Sequence, residues 1–407
     1  MVTVRQADAM AGQTITQAGE LRSARLESLR AIAALGVLTG HIFGQSRHYA
    51  AAATLDTFWH RTLFGGGFGV FLFFALTGYL LFWPFARHYF GPGASIDVRR
   101  YAVNRVLRIV PLYVAAVVIL MIVHEGGGSA SQWWRFLTFS ENFSSRTIGT
   151  VDGPMWSLVV EVHFYLLLPL LAWGLARVTR GSKAGATLVL LGLAAVSYVV
   201  RRHAIGVVHR PLLEFSLPGA FMYFVPGMLL ALVRLHWAQR RPRWLAGPLA
   251  SADAWLVGAV LLTVLQFRDY SSLTLIALAS FCAVGACVLP LREGRLLRAL
   301  DWRALAALGV ASYSLYIWHD PIVMRLAGVH GIPRSYPAQL MIATVVCVGV
   351  ALVSYNLIEA PFLRLRRQWS EASAHAEAVG PAPRALDAAA ADATPTPTPA
   401  VPSAPKA

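Results

Sequence analysis

The sequence holds 407 residues, of which 57% are hydrophobic and only 14% charged. Soluble globular domains carry roughly 25% charged residues, so that class is excluded, and with it any domain count drawn from length alone. Thirty-five Lys and Arg against 20 Asp and Glu give a net charge of +15, which in so apolar a chain belongs to cytoplasmic loops rather than to nucleic-acid binding. Cys282, Cys287 and Cys347 lie in apolar stretches without a C-x-x-C pair. A disulfide framework and a cysteine zinc site are both excluded, and no metal site is expected.

Crossing a ~30 Å hydrocarbon core takes roughly 20 mostly apolar residues. Ten such stretches occur, at about 28–46, 66–85, 104–124, 155–177, 184–200, 216–235, 247–266, 271–290, 306–327 and 338–359. The expected fold is an all-α integral membrane protein with about ten transmembrane helices in one bundle over residues 26–370. A cytoplasmic N-terminal segment (1–25) precedes it, and a disordered Ala/Pro/Thr-rich cytoplasmic tail (371–407) follows. Residues 1–20 are polar and lack an apolar h-region, so the first span is expected to serve as the insertion signal. Ten spans put both termini on one side. The compartments on that side, before the tail, hold 23 Lys and Arg, and the opposite loops hold 10. The positive-inside bias then makes both termini cytoplasmic and leaves Arg201, Arg202 and Arg210 outside.

Ionisable groups inside a bilayer are costly and mark function or structural pairing. The candidates in chain order are Glu27, Arg30, His41, Arg105, Arg108, Glu161, His163, His319, Asp320 and Glu359. In the first span, Arg30 and His41 are eleven residues apart, within about 20° of three full helical turns and ~16 Å along the axis. They share a face, and Glu27 lies one turn before Arg30 on it. The pair reads either as an anion-binding arginine with a deeper reacting histidine, or as a topological arginine with a buried histidine.

In the second span, Gly65, Gly66, Gly67 and Gly69 allow close helix approach. Arg105 and Arg108 share a face at a helix start, which suits phosphate as well as the positive-inside bias. In the fourth span, Ser157, Glu161 and Tyr165 form a polar stripe after Trp156, whereas Glu161 and His163 point about 160° apart. In the ninth span Ser312, Tyr316 and His319 form another stripe beside Trp318 and Tyr313, whose packing roles lead. Pro361 is expected to end the tenth helix just after Glu359, a carboxylate placed to pair with an arginine.

Together these segments resemble the membrane acyltransferase-3 family. The carriers are Leu26-Glu27-Ser28-Leu29-Arg30 with His41; Gly69-Val70-Phe71-Leu72-Phe73-Phe74 through Gly78; and Arg105-x-x-Arg108-x-x-Pro111-x-Tyr113. They continue with Trp156-Ser157-Leu158, Glu161 and Phe164-Tyr165; Ser312-Tyr313-Ser314 with Trp318-His319-x-Pro321; and Glu359-x-Pro361-Phe362. The resemblance runs from about residue 26 to residue 363. Glu27 stands where aspartate is common in the family, and Thr77 where serine is common. The resemblance implies a ten-helix enzyme of the bacterial inner membrane. Such an enzyme moves a short acyl group, expected to be acetyl, from acyl-CoA to a hydroxyl of a carbohydrate or glycosylated acceptor. No appended soluble hydrolase domain is expected.

Acyl transfer needs a base, an oxyanion site and a grip on the coenzyme A phosphates. His41 is assigned as base, with Arg30 on the donor side and Arg105 and Arg108 holding phosphate. Glu161 orients His41 or binds the acceptor, and Trp156, Ser157, Tyr316 and His319 are candidate substrate-binding residues. Transient acylation of His41 remains an alternative route. The competing class is a secondary transporter exporting a glycolipid or an antibiotic, although no internal repeat is found. The topology carries its own test. A reporter active only outside the cytoplasm should be silent at the C-terminus and active in the 125–150 loop, and the reverse pattern would overturn the charge assignment.

Overall fold

The computed structural model describes residues 4–46, 65–92, 95–123, 126–206, 211–239, 242, 247–269, 272–333, 335–366 and 368–369, with side chains from residue 24 onward except at 206 and 211. The expected tail, 371–407, lies outside the described residues. In chain order the helices are α1 (Val4–Gln45), α2 (Gly69–Phe90), α3 (Val98–Val123), α4 (Ala130–Leu137) and α5 (Met155–Val178). Next come α6 (Lys183–Gly206), α7 (Pro211–Glu214), α8 (Leu217–Ala220), α9 (Val225–Gln239), α10 (Ala252–Arg268) and α11 (Leu275–Val288). The chain ends with α12 (Arg295–Ala299), α13 (Arg303–Val310), α14 (Ser312–Gly328) and α15 (Tyr336–Ser354). The described residues contain no strand, only an isolated parallel bridge between Ser251 and Arg292.

Every apolar stretch folds as helix, but not every helix is a full crossing. Among the described residues six are long and apolar enough to span a bilayer, or seven if the pair Leu217–Tyr223 and Val225–Gln239, bent by 42°, counts as one. Helix α11 has 14 residues, hence a length of about 21 Å at 1.5 Å per residue, well short of a ~30 Å core. Helices α10 and α14 have 17 residues each. Ten is the number of apolar stretches, and six to seven is the number of described helices with the dimensions of a complete span. Large apolar side chains such as Leu166, Leu170, Leu188 and Val345 point outward and exposed, as helices solvated by hydrocarbon require.

Small residues fix how closely the helices meet. Helix α2 packs chiefly on α9, α1 on α13 and α14, and α14 on α15. At the α2–α9 crossing, a Cβ on Gly227 would stand 1.9 Å from the Ala75 carbonyl oxygen, and one on Gly78 would stand 2.2 Å from that of Phe224. Only backbone against backbone fits there. The glycines leading into α2 do the same against α1: a Cβ on Gly66 would lie 2.0 Å from the Gly36 oxygen, and one on Gly69 would lie 2.3 Å from that of Ala33. This seats α2 beside the part of α1 that carries His41.

The foot of α1 is fastened by charge. Arg25 is buried and reaches Glu293 at 2.6 Å and Asp301 at 2.8 Å. Ser28 donates to the Leu300 carbonyl at 2.6 Å.

Pro361 does not end the last helix. Helix α15 passes into a π-helical turn, Tyr355–Glu359, and helical structure continues to residue 366. Proline lacks an N–H and clashes with the carbonyl four residues back. Widening the preceding turn by one residue accommodates it, and Ala360 N–H bonds the Tyr355 oxygen in the i→i−5 pattern.

The α2–α9 crossing sets a test. Gly227→Leu should destabilise the fold by about 3 kcal/mol or more, because the backbones cannot separate without losing the contact. Gly258→Leu, where nothing lies within 4 Å of the added Cβ, should be near neutral. Thermal unfolding of both variants in detergent decides it, and equal stability would remove the close approach as a structural requirement.

Candidate active site

His41 projects from α1 and Asp320 from α14, and the two meet with Nδ1 to Oδ1 at 2.7 Å. The Asp320 side chain is only 10% exposed, while His41 keeps 32%. The carboxylate thus fixes the ring and leaves Nε2 as the other imidazole nitrogen. Behind His41 stands the ring of His319, edge-on with centroids 4.9 Å apart. His319 is buried, and its Nδ1 lies 2.6 Å from the Tyr316 carbonyl. A carbonyl only accepts, so His319 Nδ1 carries the proton.

His41 and Asp320 open onto a cavity of about 640 Å³ that also meets Asp152, Trp156, Arg201 and Phe215. Arg201 comes from α6 and donates to the Glu214 backbone oxygen at 3.0 Å and to its Oε1 at 3.1 Å. Its guanidinium lies over the rings of Phe71 and Tyr223, 5.5 Å from each centroid.

A second, tight chamber of about 80 Å³ is lined by Arg30, Arg105, Arg108, Thr77, Glu161 and Tyr165, among others. Arg30 Nε lies 3.3 Å from Ser312 Oγ, to which it donates, and 3.5 Å from Glu27. Arg108 pairs with Glu359 at 3.3 Å. Glu359 also accepts from the backbone N–H of Ser314 at 3.0 Å and from its hydroxyl at 2.5 Å. Thr77 donates to Glu161 at 2.5 Å. The buried Nε of Arg105 has no hydrogen-bond partner among the described residues. Leu80, Leu81 and Arg105 are shared with a wider cleft of about 450 Å³ that also holds Asp97, Arg100, Tyr101 and Asn104.

Between chamber and cavity stands an aromatic neck. Val70 lines both spaces. The hydroxyls of Ser157 and Tyr316 are 2.7 Å apart, Phe73 packs edge-on to Tyr316, and Phe74 edge-on to Trp156.

The structure thus distributes the residues singled out in the sequence. Arg30, Arg105, Arg108 and Glu161 gather in the small chamber, Ser157 and Tyr316 form the neck, and His41 and Trp156 face the large cavity. His319 lies behind His41 and is not among the residues lining these spaces. Glu161 is bonded to Thr77, and the carboxylate that orients His41 is Asp320. Of the two roles expected for Glu161, orienting His41 or binding the acceptor, the first is held by Asp320, and Glu161 faces the arginine chamber on the other side of the neck. Trp318 bonds Ser354 and Tyr313 bonds the Ile109 carbonyl, both packing roles.

Asp320, Arg201 and Glu141 were given no site role from the sequence. Asp320 was visible as an acid inside an apolar span, but its partner lies 279 residues away. The signal for Arg201 was its place on the side the charge rule keeps poor in arginine. Glu141 gave none: it is buried, takes a hydrogen bond from Tyr113 at 3.1 Å, and burial pushes its carboxyl up to about 8.

Comparison with known proteins gives this arrangement its context. The Acyl_transf_3 family, described as an acyltransferase domain, matches residues 23–356, and the chain belongs to that family. It is 27% identical over 364 residues to the putative peptidoglycan O-acetyltransferase YrhL of Bacillus subtilis (strain 168), covering 83% of this chain and 54% of the relative. It is 24% identical over 361 residues to the O-acetyltransferase OatA of Staphylococcus aureus (strain NCTC 8325 / PS 47), covering 83% and 56%. With Nodulation protein 10 of Rhizobium leguminosarum bv. viciae it shares 27% identity over 246 residues, covering 58% and 61%. The chain spans about half the length of the first two curated relatives. No solved structure matches it.

The Arg108–Glu359 pair is open to a cycle. Arg108→Met should cost about 3–5 kcal/mol by leaving a buried carboxylate uncompensated. Adding Glu359→Gln should restore most of that, read as thermal stability in detergent. Additive losses would show that the two side chains act independently.

Proposed function

We propose that the chain is a membrane O-acyltransferase that moves a short acyl group, acetyl in the first instance, from acyl-CoA to a hydroxyl of a carbohydrate or glycosylated acceptor. The observation that carries this reading is the His41–Asp320 pair at an open cavity, joined through the neck to a chamber of three arginines. In this reading residues 26–370 form a ten-helix bundle in a bacterial inner membrane, with both termini and the 371–407 tail in the cytoplasm.

The coenzyme A phosphates dock on the arginine side, with Arg105 exposed to both cleft and chamber and Arg30 deeper. Phosphate gains bidentate, charge-assisted bonds from guanidinium. Arg30 and His41 are ~16 Å apart along α1 by helical rise, which matches the reach of a pantetheine arm threaded through the neck. The hydroxyls of Ser157 and Tyr316 hold the acyl end there.

The acceptor hydroxyl lies in the large cavity. His41 Nε2 takes its proton as the oxygen attacks the thioester carbonyl, and Asp320 stabilises the imidazolium. The tetrahedral intermediate collapses, the carbon–sulfur bond breaks, and His41 returns the proton to the departing thiolate. An ester and free coenzyme A result. This is base catalysis by a histidine held in one tautomer by a carboxylate.

The test uses the full-length protein in detergent with acetyl-CoA and a panel of methyl glycosides, read as thiol release. His41→Ala should lower transfer by ~10²–10⁴, and Asp320→Asn should fall in the same direction by misplacing the ring proton. Coenzyme A binding should survive both changes. Near wild-type transfer by His41→Ala would overturn the assignment. Glycolipid movement in proteoliposomes without thiol release would favour a transporter.

A further inference from the structure

Asp152 has no role in the scheme above, yet it is one of the most unusual groups in the molecule. It is 4% exposed and lines the His41 cavity. Neither carboxyl oxygen has a hydrogen-bond partner among the described residues. An aspartate just before a helix ordinarily caps it. Helix α5 instead has Pro154 at its cap, with no side-chain bond to its first turn, so capping does not occupy Asp152. Native structures rarely bury a polar group without a partner, because the desolvation is uncompensated.

The neighbouring residue ties Asp152 to the reacting groups. A Cβ built on Gly153 would lie 3.3 Å from Asp320 Oδ2, so the Asp152-Gly153 backbone runs against the carboxylate that holds His41. Trp156, one turn further on, and Phe215 pack with centroids 4.6 Å apart and give the same cavity an apolar wall.

The charges in the cavity narrow the ligand. Among the described lining residues the titratable groups are His41, Asp320, Arg201 and Asp152. His41 is held by Asp320, and Arg201 already has the Glu214 carboxylate. Among the described lining residues no unmatched cation remains for an anionic acceptor. Burial, with Asp320 nearby, pushes the Asp152 carboxyl well above the usual carboxylate range. A neutral carboxyl offers one donor and one acceptor, as does each hydroxyl of a polyol.

Resting on the acyl-transfer reading for the identity of the reacting group, we infer that Asp152 is an acceptor-binding residue. Its carboxyl holds a hydroxyl adjacent to the one delivered to His41, on an uncharged polyol ring lying against Trp156 and Phe215. The free Nε of Arg201 supplies a second donor to the ring oxygens. Uronic-acid acceptors are disfavoured by the same arrangement.

The experiment uses full-length protein in detergent and methyl glycosides of neutral hexoses beside the corresponding uronic acids. Binding is read by saturation-transfer NMR without donor, and transfer by thiol release with acetyl-CoA. Asp152→Ala should weaken neutral-glycoside binding and raise the acceptor KM by about tenfold or more, the scale of a lost bond to a buried partner. The acetyl-CoA KM should not move. Asp152→Asn, which keeps a donor and an acceptor, should retain most of the affinity. Unchanged glycoside binding in Asp152→Ala, equal binding of the uronic acids, or no binding of any neutral glycoside to the unmutated protein would overturn the inference. Glycoside binding that depends on Asp152 but is never followed by thiol release would leave this subsite standing and sink the transferase reading. Thiol release with an unmoved acceptor KM in Asp152→Ala would do the opposite.

Discussion

An unpaired charge inside an apolar bundle is penalised more heavily than almost any other local feature. Among the described residues this protein answers that constraint with ion pairs, and those of four side chains, Arg25, Arg108, His41 and Arg201, organise it. Arg25 binds α1 to the segment carrying Glu293 and Asp301, and Arg108 binds α3 to the π turn at Glu359. His41 binds α1 to α14, and Arg201 binds α6 to Glu214 on α7. Three of the four join elements far apart in sequence. The groups available for chemistry are therefore also fasteners, and at Arg108 a loss of activity would have to be separated from a loss of fold.

Charge alone does not shape the cavities. Their walls depend on how near the backbones come, which the glycines of α2 and α9 decide. Glycine contacts against α1 place Phe73 and Phe74 in the neck, where they meet Tyr316 and Trp156. A methyl group in the wrong place on α2 would act on the neck without touching a polar residue.

Much of this was legible in the sequence, and the boundary has a physical basis. Hydropathy located the long apolar helices, because a lipid-facing helix must be apolar over most of its length, but not the short α4, α7 and α12. Helical periodicity placed Arg30 and His41 on one face, since both lie on one continuous helix. Contacts across helices were another matter. The partner of His41 could be any buried acid, and chain order favours Glu161 no less than Asp320. The number of full crossings was not legible there, because a hydropathy window registers apolar residues, not how long the helix that contains them is. Asp152 was invisible because its distinction is what surrounds it: a loop aspartate is ordinary, and one sealed beside a histidine–aspartate pair is not.

The wide turn at Tyr355–Glu359 has a consequence for how variation in this chain should be judged. It holds one residue more than an α-helical turn would. Deleting one of the first four would leave a turn that closes as regular α-helix, with everything beyond it facing nearly the same way. A one-residue deletion in the regular helix α15 is different, because everything beyond it would rotate by about 100° and draw back along the axis. Glu359 would then leave Arg108, although both side chains of the pair were still present. Spacing along α15 is thus a determinant in its own right. A ranking of variants by the chemical severity of substitutions would pass over the single-residue length change that undoes the pair.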